Sequence, residues 1–427
     1  MQEILIKNGS VVCPSQKINQ QVLDILVKDG KIAGLGKNIK AKAEIVIDAS
    51  GKIVMPGIVD MHVHLREPGR EDKETIASGT MAALKGGVTS VLAMPNTSPA
   101  IDSKENISLL KKIIKDTASA NVFICAAISK ERLGRELSDI AMLKKNGAVA
   151  ISDDGSSVDN DKLLLSAFKK AKEVGIPVIC HCEDKKLSNN GVVNLGIIST
   201  KLGLRGISRE SEYKRIQRDI ELAKKANVAI HIAHVSCRES VEAIARAKKQ
   251  GIKVTAETAP HYFSLTQEDL VGYDANMKMN PPLREKDDVA AIKEGLKTGI
   301  IDAIASDHAP HTENEKDIEF DRAEFGVIGL ETELAVSIKE LVLGKVLDWP
   351  GLIEKLSLNP AKILGIDRGS LRVGKSADII IICADKEWVA NKEDFVSKSK
   401  NSAFLCRKLN GVVDYAICGG NIAYKNI

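Results

Sequence analysis

Within DMHVHLREPG, residues 60 to 69, two histidines stand one residue apart and an arginine follows two positions later. Imidazole nitrogens hold divalent metals, and a guanidinium holds a carboxylate or phosphate, so this stretch carries the parts of a metal site with an anion clamp beside it. Side chains of a β-strand alternate between faces, which places His62, His64 and Arg66 on one side and Met61, Val63 and Leu65 on the other if the strand persists. A lone His-x-His is more often a chance pair near a strand end. What decides the matter is whether other ligand-type residues recur where they can meet this pair.

The elements that would bring them together are visible as eight apolar runs: GIVDMHVH, VTSVLAMPN, NVFICAAI, AVAISDD, PVICHCED, VAIHIAHVS, IKVTAETAP and DAIASDHAP. Amphipathic stretches such as ETIASGTMAALKGG and SVEAIARAKKQG fall between them. Alternation of this kind implies βαβ units and a parallel sheet. Eight units over roughly 300 residues fit an α/β fold of the (β/α)8 TIM-barrel type with some long loops. The largest insertion falls between the fifth and sixth runs, at 185–225. The first fifty-odd residues read as short strands, with hairpin-like steps at KDGK and SGK, and the last sixty resemble them. The expected organisation is a metal-dependent barrel over 56–366 and a small composite β-sandwich domain from 1–55 plus 367–427.

Barrels of this type keep their chemistry at the C-terminal ends of the strands. The first run ends with His62 and His64, the fourth with Asp153 and Asp154, the fifth with His181, the sixth with His234 and the eighth with Asp307. Runs two, three and seven supply no obvious ligand. Imidazole and carboxylate donors without cysteine suit zinc. Six ligand residues exceed what one tetrahedral ion needs, so two ions are expected. Strand parity does not choose between Asp153 and Asp154, because both faces of a parallel strand are buried. Of the remaining histidines, His231 is expected to face a helix, and His308 to support the ligands from behind or to be structural. His261 is balanced between packing and the mouth, and His311 lies on a loop beyond a proline.

Composition narrows the function classes. The 427 residues are 44% hydrophobic and 28% charged, with a net charge of +4 and dispersed basic residues, so nothing suggests nucleic-acid binding. MQEILIKNGS interrupts its apolar stretch with charges, unlike a signal peptide. The strongest apolar runs, such as IIIIC near residue 380, are far too short to span a bilayer. Eight cysteines lie without framework spacing, which points to a reducing cytoplasm. Cys180 and Cys182 flank His181 and are expected to be core thiols.

HVHLREPG, MPNTSPAID, SDDG, CHCED, HIAHVS, ETAPHYF, MNPPLR, SDHAPHT and GSLRVGKSADIII, in this order over nearly the whole chain, resemble the dihydroorotases of the amidohydrolase superfamily, in their long bacterial form. The resemblance implies zinc-dependent, reversible cyclisation of N-carbamoyl-L-aspartate to L-dihydroorotate, the third step of de novo pyrimidine biosynthesis. It implies metal ligands at His62, His64, Asp154, His181, His234 and Asp307, with Asp154 and a hydroxide bridging two Zn2+ ions. That hydroxide would be the nucleophile, and Asp307 the general acid and base. Substrate contacts are implied for His64, Arg66, Asn96, Asn280 and His311, with backbone help near Phe325 and Gly326. Related enzymes often bridge their metals with a carboxylated lysine from the fourth strand. AVAISDDG has none, and Lys144 and Lys145 precede it, which counts against a hydantoinase or allantoinase. One departure is Glu324 in AEFG, where the resemblance leads one to expect proline. HTENEKDIEFDRAEFG is expected to cover the mouth. A rival of another class is a non-catalytic partner of aspartate carbamoyltransferase, which would have lost ligands that this chain keeps. A homodimer, or association of an active enzyme with that transcarbamoylase, stays open.

Overall fold

Each of the eight apolar runs forms a strand of one parallel barrel in the computed structural model, which describes residues 3–426. The barrel strands are β1 (Ile58–Val63), β2 (Val88–Ala93), β3 (Asn121–Ala126), β4 (Ala148–Ile151), β5 (Val178–Cys180), β6 (Ile230–Ile232), β7 (Val254–Thr258) and β8 (Ala303–Ile304). They lie side by side in chain order. The ring closes just past the ends of its outer strands, where Val63 bridges in parallel to His308 and His64 N–H donates to His308 O at 2.9 Å. Both faces of the strands are buried, which is why the runs read as continuously apolar. Val59, Met61, Leu92, Cys125 and Ile179 fill the inside of the ring. Val63, Val91, Ile124, Ile151 and Ile232 pack outward with the surrounding helices.

The expected parity of β1 fails at its last turn. Asp60 is opposite Val91 and Val63 is opposite Ala93, so three residue steps on β1 face two on β2. This is a bulge, and bulges re-aim side chains beside active sites. Met61 therefore joins the inner cluster, while Val63 and Leu65 join the outer one. The bulge is pinned by the Asp60 carboxylate, which accepts from His62 N–H at 3.0 Å and from the Ser306 hydroxyl. Arg66 lies beyond the strand with φ 62°.

The chain ends form a single hydrogen-bonded sheet of eight strands around its own apolar cluster, which includes Ile4, Ile25, Ile47, Ile379 and Ile417. The two termini meet where Ile53–Pro56 pairs antiparallel with Ile379–Val389. KDGK is a two-residue hairpin: Lys28 pairs with Lys31, and Asp29 and Gly30 have φ 51° and 73°, the double positive φ that tight hairpins need. SGK is not a hairpin. The strands on either side of it, Ile45–Asp48 and Ile53–Pro56, both pair in parallel with Ile4–Cys13, one after the other along its edge. A turn residue permits a reversal, but the better-paired edge decides where the chain goes. The 185–225 insertion carries a two-stranded ribbon, Val193–Asn194 with Gly206–Ile207, and the long helix Glu210–Ala226.

Candidate functional site

The residues expected at the strand ends converge at one mouth of the barrel. His62, His64 and Asp154 present ligand atoms within 4.8 Å of one another, and Asp154, His181 and His234 do the same. Asp154 belongs to both groups. Its Oδ1 is 3.2 Å from His62 Nε2 and 3.4 Å from His181 Nδ1, and its Oδ2 is 3.4 Å from His64 Nε2. Asp307 stands outside both groups, with Oδ1 3.3 Å from His64 Nε2 and 3.6 Å from His62 Nε2. His234 and Asp307 reach the mouth from residues with φ 37° and 49°, past the ends of their strands.

Asp153 is turned away. Its carboxylate accepts from Ser129 N–H at 3.0 Å and from the Ser129 hydroxyl, behind the neighbouring strand. Geometry thus separates the two aspartates that strand parity could not.

Two carboxylates behind the histidines were not anticipated. His62 Nδ1 lies 2.7 Å from Glu257 Oε1, and His231 Nε2 lies 3.2 Å from Glu257 Oε2. Burial alone would raise the Glu257 carboxyl, but hydrogen bonds from His231 and His62 bring it down to about 2. An ionised carboxylate only accepts, so His62 Nδ1 carries a proton and Nε2 is the nitrogen that faces Asp154. Histidine ligands commonly need such a partner. Glu257 lies at the end of run seven, and its position there was the available signal. His231 consequently does not face a helix. It pairs in register with Ile179 of the inner cluster, inside the ring. The spacing from His234 misled because β6 stops at Ile232. Glu183, in CHCED, sits 3.7 Å from His181 Nε2 and accepts from Asn280 Nδ2 at 3.1 Å.

His64 Nδ1 is 2.8 Å from Asn96 Oδ1, so the Asn96 carbonyl orients His64 from behind. His308 is structural, accepting from Gly329 N–H at 3.2 Å. His261 is buried and edge-on to Tyr262, and burial pushes it down to about 4.

The mouth opens into a cavity of about 400 Å³ lined by Arg66, Asn96, Asn280, Asp307 and His311, among others. Arg66 Nε donates to Pro310 O at 3.1 Å, and its Nη2 is 3.2 Å from His311 Nε2. Phe325 and Gly326 border the same space. Gly326 has φ 128°, and a Cβ there would stand 2.6 Å from the Ala309 Cβ. Only glycine fits. Buried Lys73 and half-buried Arg132, which the sequence did not single out, also line it, and Arg132 Nη1 donates to Asp154 O at 2.6 Å.

The residues present fit a metal. His62 Nε2 and Asp154 Oδ1 are buried without a hydrogen-bond partner among the described residues. Such atoms carry a desolvation cost that a cation relieves. Burial raises the Asp154 carboxyl, yet the His62 charge and the adjoining His181 and His234 imidazoles hold it well below the usual carboxylate range. An anion set among imidazoles is the arrangement two divalent ions can share.

Comparisons with known proteins give the family and the fold. A family model described as Dihydro-orotase-like matches residues 51–240. The chain is 52% identical over 422 residues to a dihydroorotase of Elusimicrobium minutum, covering 99% of this chain and 98% of that one. It is 51% identical to a dihydroorotase of Geotalea daltonii, covering 99% of each. Among solved structures, an L-hydantoinase (dihydropyrimidinase) from Arthrobacter aurescens superposes with a TM-score of 0.89 at 26% identity, covering 99% and 96%. A dihydropyrimidinase from Brevibacillus agri superposes at 0.87 with 24% identity over 99% and 95%, a likeness of fold alone.

Proposed function

The chain belongs to the dihydroorotase family, and we propose that the barrel mouth is where it interconverts N-carbamoyl-L-aspartate and L-dihydroorotate for pyrimidine biosynthesis. The observation that carries this is Asp154 shared between two histidine groups, with Arg66 and His311 opening onto the same cavity. We assign His62, His64, Asp154, His181, His234 and Asp307 to two zinc ions, with Asp154 between them. When bound, these ions supply a hydroxide at neutral pH and polarise the ring carbonyl.

The side chains of the protein do the rest. Burial raises the Asp307 carboxyl, but the His62 charge and the His64 hydrogen bond hold it well below the usual range. It is therefore ionised and ready to accept. In ring opening Asp307 takes the proton released by the attacking oxygen and delivers it to the departing ring nitrogen; in closure it carries the proton back. Arg66 offers a planar fork to the α-carboxylate, with Asn96, His64, Asn280 and His311 around it and the Phe325 and Gly326 backbone at its edge. Holding both ends of carbamoyl-aspartate removes much of the entropic cost of closing the ring.

Residues 56–366 act on this reading as the catalytic domain, with 1–55 and 367–427 as the terminal one. All eight cysteines are free thiols, which suits the cytoplasm. No helix among the described residues is long and apolar enough to cross a membrane. An active enzyme of this form is compatible with a homodimer or with binding aspartate carbamoyltransferase.

The direct test is to purify the chain, measure bound zinc, and assay dihydroorotate beside hydantoin and allantoin. Turnover of dihydroorotate with about two zinc ions per chain is expected. Preference for hydantoin would reject the assignment. Asp307→Asn should lower turnover on the order of 10²–10⁴-fold while metal stays bound; near-normal activity would remove Asp307 from its role.

A further inference from the structure

Lys73 is buried beside the cavity, and none of the chemistry above uses it. Its Nζ lies 3.1 Å from His311 Nδ1. An ammonium only donates, so Nδ1 must accept and the imidazole proton must sit on Nε2. The opposite side of the ring gives the same answer independently. His311 Nε2 is 2.8 Å from Phe325 O, a carbonyl that only accepts. Two neighbours on two elements therefore select one tautomer. Burial, with the Arg66 and Lys73 charges, pushes His311 down to about 2, so no second proton joins the ring.

Fixing this tautomer changes what Arg66 meets. Its Nη2 stands 3.2 Å from His311 Nε2, and Nε2 carries a proton. Two donors face each other there and cannot bond. An oxyanion placed beside both accepts from Arg66 Nη2 and shares the Nε2 proton with Phe325 O as a three-centre bond. Lys73 is itself anchored by Glu315 at 3.0 Å, and Glu315 by Arg70 at 2.6 Å and by Thr312 N–H at 3.1 Å.

We propose that Lys73 is a positioning residue that locks His311 with its proton on Nε2, so that His311 and Arg66 present paired donors to one substrate carboxylate. This rests on the carboxylate-binding reading of the cavity given above. It assigns a task to the lysine of REDKET, which the sequence did not mark out.

The test uses the full zinc-loaded chain with ¹⁵N-labelled histidine, assigning His311 by the signal lost in His311→Gln. Wild-type His311 is expected to be neutral and protonated on Nε2. In Lys73→Met, Nδ1 loses its donor and faces Glu315 Oε2 at 3.5 Å, so the carboxylate should compete with Phe325 O for the proton and the Nδ1-protonated form should become measurable. KM for dihydroorotate should rise about tenfold or more with kcat within about threefold, the pattern of lost uniform binding. Lys73→Arg, again donor-only, should keep the wild-type tautomer. A proton on Nδ1 in the wild type overturns the proposal without any variant. So does a folded, zinc-loaded Lys73→Met that keeps both the tautomer and the KM. Failure to turn over dihydroorotate, with the Nε2 proton in place, would reject the substrate and still support the hold of Lys73 on His311.

Discussion

At the scale of single residues, the histidines are only half of the candidate metal centre. Glu257 fixes which nitrogen of His62 faces the mouth, and Asn96 does the same for His64 through its carbonyl. Removing such a partner costs metal affinity even though it touches no metal. Glu257→Gln should weaken zinc binding on the order of 10–100-fold, read by titrating metal-free protein. Unchanged affinity would leave Glu257 a core carboxylate only. His62, His64, His181, His234 and Asp307 were legible because ligand-type residues at five strand ends are a pattern, whereas Glu257 was a lone carboxylate in an apolar run. Its meaning depends on a histidine 195 positions away.

At the scale of elements, the loop of residues 311–326 is held down by two buried lysines. Lys316 Nζ donates to Glu324 O and Gly326 O, each at 2.9 Å, and Lys278 Nζ donates to Phe320 O at 2.7 Å while lying over the Phe325 ring. Among the described residues neither lysine has a carboxylate partner in an ion pair. Glu324 N–H also donates to Glu315 O at 3.1 Å, a bond that the expected proline could not make. The departure from the family pattern thus adds a fastening to the loop. Burial and the nearby Lys278 charge push Lys316 from the usual 10.5 down to about 7. Between those two pH values the unfolded chain binds a proton that the folded chain does not, so this lysine makes stability rise with pH across that window. Lys316→Met should flatten that part of the rise, seen as a wild-type melting temperature that gains on the variant from pH 7 to pH 10. Parallel curves would contradict it. The same variant removes the Lys316 bonds to Glu324 O and Gly326 O, leaving Gly326 O to Asn401 Nδ2, and should raise KM through the loosened loop.

At the scale of the molecule, the terminal sheet and the barrel share more than a seam. The segment after Phe395, which precedes the last pair of strands, reaches over to the mouth. Asn401 Oδ1 accepts from His311 N–H at 3.2 Å and its Nδ2 donates to Gly326 O at 3.1 Å, while the Ser399 hydroxyl donates to Lys73 O at 2.7 Å. Asn401→Ala should therefore raise KM for dihydroorotate several-fold, although the residue comes from the far end of the chain. Unchanged kinetics would make the contact incidental. Metal should also stabilise the whole molecule by linkage: chelation should end turnover and lower the melting temperature, and zinc should restore both in a concentration-dependent way. A melting temperature indifferent to zinc would argue against a native-state metal site.

The sequence alone determined the barrel, because eight doubly buried strands must be apolar runs and their helices must be amphipathic. It also determined which residue types meet at the mouth, since a parallel barrel can gather only what its strand ends carry. Tertiary structure decided which of Asp153 and Asp154 faces the histidines and that Met61 parts company with Val63. It also decided that SGK is not a hairpin and that Lys73, Glu257 and Asn401 stand behind the site. Each of these depends on register, bulges or contacts between distant segments, and a one-residue slip in any of them turns a side chain to the other face.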